Sequence, residues 1–96
     1  MIRHTVVFSL RHEPGSVEEV EFLANARELA AIEGVQRFEQ LRQVSSKSDF
    51  AFSFSMEFED EAAYTGYNED PVHVEFVRTR WVAEVEKFQE LDFVPL

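Results

Sequence analysis

Phe50-Ala51-Phe52-Ser53-Phe54-Ser55-Met56-Glu57-Phe58 alternates without a break: Phe50, Phe52, Phe54, Met56 and Phe58 fall on one side, Ala51, Ser53, Ser55 and Glu57 on the other. A period of two is that of a strand, whose successive side chains point to opposite faces. The bulky apolar face needs a covering layer. The small, mostly uncharged face is unlike a surface built for water, which in this chain's helices carries many charges. Both faces therefore have to be covered, and the rest of the chain must supply the covers.

Upstream, residues 2–10 repeat the pattern, with Ile2, His4, Val6, Phe8 and Leu10 on one face and Arg3, Thr5, Val7 and Ser9 on the other. This predicts a first strand. Pro14-Gly15 then reads as a turn, and Ser16 with Glu19 three residues on as a capping box that opens a helix. Two apolar stripes compete for its buried side: Val20, Leu23, Ala24 and Ala31, or Phe22, Ala26, Leu29 and Ala30. Gly34 stands where a left-handed C-terminal cap would fall. Residues 35–44 give a weaker, Gln- and Arg-rich edge strand, and residues 45–49 a polar loop. Downstream, residues 59–67 predict a short helix. Asp70-Pro71 supplies an N-cap and a first-turn proline for a longer one, with Val74, Val77, Trp81 and Val85 as its stripe. Residues 87–94 end as a strand with Phe88, Leu91 and Phe93 as its apolar content.

The order β-α-β-β-α-β predicts an α+β fold: a ferredoxin-like protomer with a four-stranded antiparallel sheet and helices on one face. Those helices cover the Phe row. The other face, carrying Thr5, Val7, Ser53 and Ser55, predicts a homodimer packed sheet to sheet, a dimeric α/β barrel. With 96 residues, ten of them Phe, residues 1–96 suit one domain. Nineteen acidic against nine basic residues give a net charge of −10, which argues against nucleic acid or a membrane surface as partner. There is no cysteine, so disulfides, thiolate metal sites and thiol nucleophiles are excluded. No leader pattern and no apolar run of about 18 residues is readable, and a cytoplasmic location is expected.

Four segments in order resemble the stress-responsive dimeric A/B barrel (Dabb) domain family: Ile2 to Leu10, Phe54 to Asp60, Tyr67 to Val74 and the closing Asp92-Phe93. The resemblance spans essentially the whole chain and implies a ferredoxin-like protomer whose sheets pair into a barrel. It also implies relatedness to a polyketide cyclase, olivetolic acid cyclase, with a cofactor-free site between sheet and helices. By motif, the catalytic histidine of Pro71-Val72-His73 falls on His73, the tyrosine before it on Tyr67, and the first-strand histidine of the same pocket on His4. The sequence departs from the family at Asp70, where members commonly carry a histidine before the proline.

In the first turn of its helix, His73 feels the helix dipole against an imidazolium and the Asp70 carboxylate in favour of one. A neutral His73 suits a general base, and Tyr67 a hydrogen-bond donor to a developing enolate oxygen. His4 shares a strand face with apolar residues, so burying it requires a polar partner or a wet cavity. His12 reads as an exposed turn residue, Asp92 as a structural hydrogen-bonding or ion-paired group. No histidine spacing suits a metal, and neither metal nor other cofactor is expected. Val6, Phe8, Phe52, Phe54 and Met56 on the strands, with Phe22, Ala26 and Phe76 on the helices, either fill a core or line an aromatic substrate pocket. The expectation is a cofactor-independent cyclase-like or isomerase-like acid/base protein binding a small apolar or aromatic molecule. The alternatives are a non-catalytic stress-response binding or assembly protein and a cofactor-free monooxygenase of phenols.

Overall fold

In a computed structural model describing residues 1–96, the alternating stretches form a four-stranded antiparallel sheet in the order β2-β3-β1-β4. The strands are β1 (Ile2–Leu10), β2 (Gln36–Arg42), β3 (Phe52–Phe58) and β4 (Val85–Phe93). One face is covered by α1 (Val17–Ala26), which runs into a 3₁₀ turn over Arg27–Ala31, by α2 (Glu61–Glu69) and by α3 (Pro71–Phe76). A π-helical turn, Val77–Trp81, and a last α-turn, Val82–Glu84, continue α3 into β4. This is the ferredoxin-like α+β arrangement. No helix is long and apolar enough to cross a membrane.

Local chemistry fixes the helix starts. Ser16 Oγ accepts from the Glu19 N–H at 3.2 Å, and the Glu19 carboxylate accepts from the Gly15 N–H at 3.1 Å. Asp60 and Asp70 cap α2 and α3 through the Ala63 and Val72 N–H groups, each at 2.9 Å. Gly34 has φ +90°, and a Cβ there would stand 3.3 Å from Ala63 Cβ, so this turn both needs the left-handed region and lets α2 approach.

The side chains of Val6, Phe8, Phe54, Met56 and Phe58 meet Phe22, Ala26, Leu29, Tyr67 and Phe76 in one core. Of the two stripes open for α1, the sheet takes Phe22 and Ala26, while Val20 is 62% exposed. In α3 the expected Val74 is half exposed and Phe76 buried, and the wider π turn that follows brings Trp81, five residues after Phe76, to the same core. The β3 ladder begins at Phe52 rather than Phe50. The Gln43 side chain holds the Ser48 and Phe50 carbonyls at 3.2 and 2.8 Å and so closes the loop just before it. β2 is shorter than expected, and near its start the register shifts between Gln36 and Glu39, with Arg37 at φ 53°. His12 is not a free turn residue: its Nε2 lies 2.7 Å from the Glu84 carboxylate, which Arg80 also holds.

The opposite sheet face has no covering element. Thr5 stands opposite Ser55 and Leu91, and Val7 opposite Ser53 and Gln89, with Leu91 and Phe93 exposed beside them. Replacing Phe8, fully buried in the aromatic core, by Ala should cost about 3–5 kcal/mol. Val20→Ser on the outer side of α1 should change stability by less than about 0.5 kcal/mol. Urea unfolding of the two variants checks which stripe is inside.

Candidate functional site

Between α3 with its π turn and the β1–β4 edge of the sheet lies a cavity of about 640 Å³. Val6, Phe54, Met56, Leu29, Phe76, Val77, Trp81, Val82, Val85 and Phe88 form its apolar wall, and His4, Tyr67, His73, Asn68, Glu86, Lys87 and Glu90 its polar one. Thus Val6, Phe54, Met56 and Phe76, expected as lining from the sequence, are on the wall. Phe8, Phe22, Ala26 and Phe52 are not. Phe8 packs on Phe22, Phe52 and Phe54 at ring-centroid distances of 6.0, 5.6 and 4.7 Å, which fills the core beside the cavity. Ala26 is fully buried under α1 in the same core.

His4 sits in β1 directly opposite Asp92 of β4, with Met56 of β3 on its other side. Its Nδ1 is 2.6 Å from Asp92 Oδ1. The Tyr64 hydroxyl donates to Asp92 Oδ2 at 2.9 Å, and its oxygen stands 2.8 Å from the same His4 Nδ1. A carboxylate only accepts, so in the neutral ring the proton belongs on Nδ1 and the lone pair on Nε2. No buried side-chain nitrogen or oxygen in the protein lacks a hydrogen-bond partner unless it reaches open space. His4 Nε2 has no partner, so it opens on the cavity.

The same argument applies to Tyr67. Its residue is only 2% exposed and its hydroxyl has no protein partner, so that oxygen too reaches the cavity. Tyr67 packs against His73 at 4.4 Å and lies 6.3 Å from the His4 ring. His73 donates Nδ1–H to the Asn68 carbonyl at 3.2 Å, which again leaves Nε2 as an acceptor. Burial pushes the His73 imidazole below the usual histidine range, and the hydrogen bond to Asn68 offsets this only in part. Burial raises the phenols of Tyr64 and Tyr67, the first also through its bond to Asp92 and both through the Glu90 charge, so each keeps its proton at neutral pH. The wall thus offers two imidazole lone pairs and one phenolic donor over an apolar floor.

The expected His4, Tyr67 and His73 are therefore brought together, whereas Tyr64, Trp81, Phe88 and Glu90 were not anticipated around them. Tyr64 lies three residues before Tyr67 on α2, hence on the same helix side. Glu90 and Phe88 stand opposite Val6 and Phe8 once β4 is set in antiparallel register. The residues present do not gather three His, Asp or Glu side chains as a metal would require.

A ferredoxin-like α+β protomer with a cavity between sheet and helices is the class that fold and site define. The stress-responsive A/B barrel domain model matches residues 2–95, and the chain belongs to that family. A Dabb-family protein of ferredoxin-like fold from Mesorhizobium loti is 64% identical, with 99% of this chain and 96% of that one covered and a TM-score of 0.98. A dimeric ferredoxin-like protein from Thermobifida fusca matches at 14% identity over 98% and 90% of the two chains, TM-score 0.80. A hydroxynitrile lyase from Passiflora edulis matches at 15% identity over 99% and 93%, TM-score 0.82. The last two likenesses concern the fold alone. No curated protein matches the chain.

Nitrogen-15 spectra of the imidazole rings above pH 7.5 should show His4 protonated at Nδ1 and bare at Nε2. Asp92→Ala should let the two tautomers mix, and Tyr64→Phe should leave Nδ1 protonated. A wild-type ring protonated at Nε2 would contradict the hydrogen-bond assignment.

Proposed function

We propose that this single-domain, cytoplasmic protein binds a small apolar or aromatic carbonyl compound in the cavity and acts on it as a cofactor-independent acid/base enzyme of the cyclase or isomerase type. The observation that carries this reading is the set of three unpartnered polar atoms, His4 Nε2, Tyr67 Oη and His73 Nε2, on the wall of one apolar cavity.

The chemistry follows from their protonation. His73 Nε2 takes a proton from the carbon next to the carbonyl, and the electron pair left behind moves onto the carbonyl oxygen. Tyr67 donates a hydrogen bond to that oxygen, while His4, fixed by Asp92, accepts from a second polar group of the substrate and orients it. The His73 proton then returns to another carbon in an isomerisation. In an aldol-type ring closure it goes to the oxygen of the carbonyl that the new carbon–carbon bond attacks. The runner-up, a non-catalytic binding role in the stress response, is favoured by Asp70, whose carboxylate is committed to the Val72 N–H.

Deuterium exchange α to the carbonyl of 2-tetralone, followed by NMR, tests the catalytic reading. His73→Ala should slow the protein-catalysed exchange by about 10²-fold or more and Tyr67→Phe by a similar factor, with far-UV circular dichroism unchanged. Because the neutral imidazole is the base and burial lowers its pKa, activity should persist as pH falls and be lost only below about 6.5. Unchanged exchange in His73→Ala removes His73 from the mechanism and leaves the binding role.

We further propose that two copies pack through the sheet face carrying Thr5, Val7, Ser53 and Ser55, with Leu91 and Phe93 at its edge. Light scattering should give twice the 11.2 kDa protomer mass, and Val7→Lys, which puts a charge into that face, should give the protomer. A wild-type mass of one protomer would end this assignment.

A further inference from the structure

The charges around the cavity do not balance. Asp92 is held by His4 and Tyr64, and Lys87, the one cationic residue on the lining, gives its ammonium to the Asp49 carboxylate at 2.5 Å. The two lining carboxylates, Glu86 at the start of β4 and Glu90 further along it, have no such partner. Glu90 is the one beside the polar wall. It projects from β4 opposite Val6, on the same strand face as Phe88 and Asp92 and into the cavity wall. Phe88 meets Trp81 edge to face at 5.6 Å, so two aromatic rings stand on the same side of the cavity as the carboxylate.

We propose that Glu90 is the specificity-determining residue of this cavity, and that the ligand is an apolar molecule carrying an ammonium group rather than a carboxylate. Glu90 is exposed, so its charge is hydrated. A ligand filling the apolar wall strips that water, which is costly for an unpaired carboxylate and favourable when the ligand brings the opposite charge. Trp81 and Phe88 add ring faces that attract a cation, and the protein's net charge of −10 attracts cations and repels anions at longer range. At the other end, the buried and unpartnered Tyr67 hydroxyl is a second fixed point, suited to an acceptor such as a carbonyl. The charge of Glu90 extends to that end, since it contributes to the proton affinity of Tyr67 and His73.

The proposal rests on the cavity being a ligand site, and the test separates the two. Three compounds sharing one ring system, 2-aminotetralin, 2-tetralol and tetralin-2-carboxylate, are titrated calorimetrically into the wild-type protein. The amine should bind about tenfold tighter than the alcohol, and the carboxylate about tenfold weaker. Glu90→Gln should bring the three within about threefold of one another. Glu33→Gln, which removes the same charge outside the cavity lining, should leave the order intact. Equal binding of amine and carboxylate to the wild type, or an unchanged order in Glu90→Gln, overturns the role of Glu90 while the cavity stands. Binding of none of the three overturns the cavity reading and this proposal with it.

Discussion

A histidine on the helix-facing side of β1 sets the terms for much of this molecule. His4 is 6% exposed between Ile2 and Val6 on a strand face that is otherwise apolar, and an imidazole so placed must be hydrogen-bonded or face a polar space. The protein does both. Asp92, 88 residues later, satisfies Nδ1, which couples the pairing of the first and last strands to the ring orientation. Tyr64 from α2 closes on the same pair and stacks on Phe58 at 4.9 Å, so α2 is tied to the sheet by polar and aromatic contacts at once. With one nitrogen occupied, the other has nowhere to go but the space under α3.

That space exists because the helices pack differently over the two parts of the sheet they cover. Near α1, Phe8, Phe22, Phe52 and Phe54 interlock and leave no room. At the β4 edge, the π turn carries the helix on from Phe76, and Trp81 spans from the core, where it packs on Phe8 at 5.0 Å, to the margin of the sheet, where it meets Phe88 at 5.6 Å. The aromatic residues therefore serve two purposes according to position. Phe8, Phe22 and Phe52 fill, Trp81 and Phe88 wall a cavity, and Phe54 borders both. A row of alternating Phe does not distinguish these uses, since both demand a large apolar face.

Much of the fold is written locally. The period of two in residues 2–10 and 50–58, the Ser16 and Asp70 caps and the proline after Asp70 each depend on neighbours within four residues, and each formed where the pattern lies, except for the first two residues of 50–58. The features that escaped depend on distant partners. The irregular start of β2 follows a bulge at Arg37, and the start of β3 depends on Gln43 folding its side chain across the loop. The choice between two apolar stripes on α1 belongs to the sheet. In the site, His4, Tyr67 and His73 follow from motif order, but Tyr64 and Glu90 acquire meaning only once β4 is laid beside β1. A carboxylate in a terminal strand is unremarkable until register sets it across from Val6 on the covered face.

The protonation pattern also limits what the site can do. Tyr67 is buried, and the Glu90 charge disfavours its phenolate further, so it is a poor proton donor to an enolate and a good hydrogen-bond donor. In the proposed reaction it therefore lowers the energy of the developing oxyanion without surrendering its proton, and the product stays free to take a proton at carbon. His73 carries the transferred proton, and burial weakens its hold, which favours return over retention. His4 differs in what holds it. Two histidines on one wall have unlike roles because the Nδ1 of one is fixed by a carboxylate of the sheet and that of the other by a backbone carbonyl at the end of α2, and it is the second, whose proton burial loosens, that suits rapid release of a proton to the substrate.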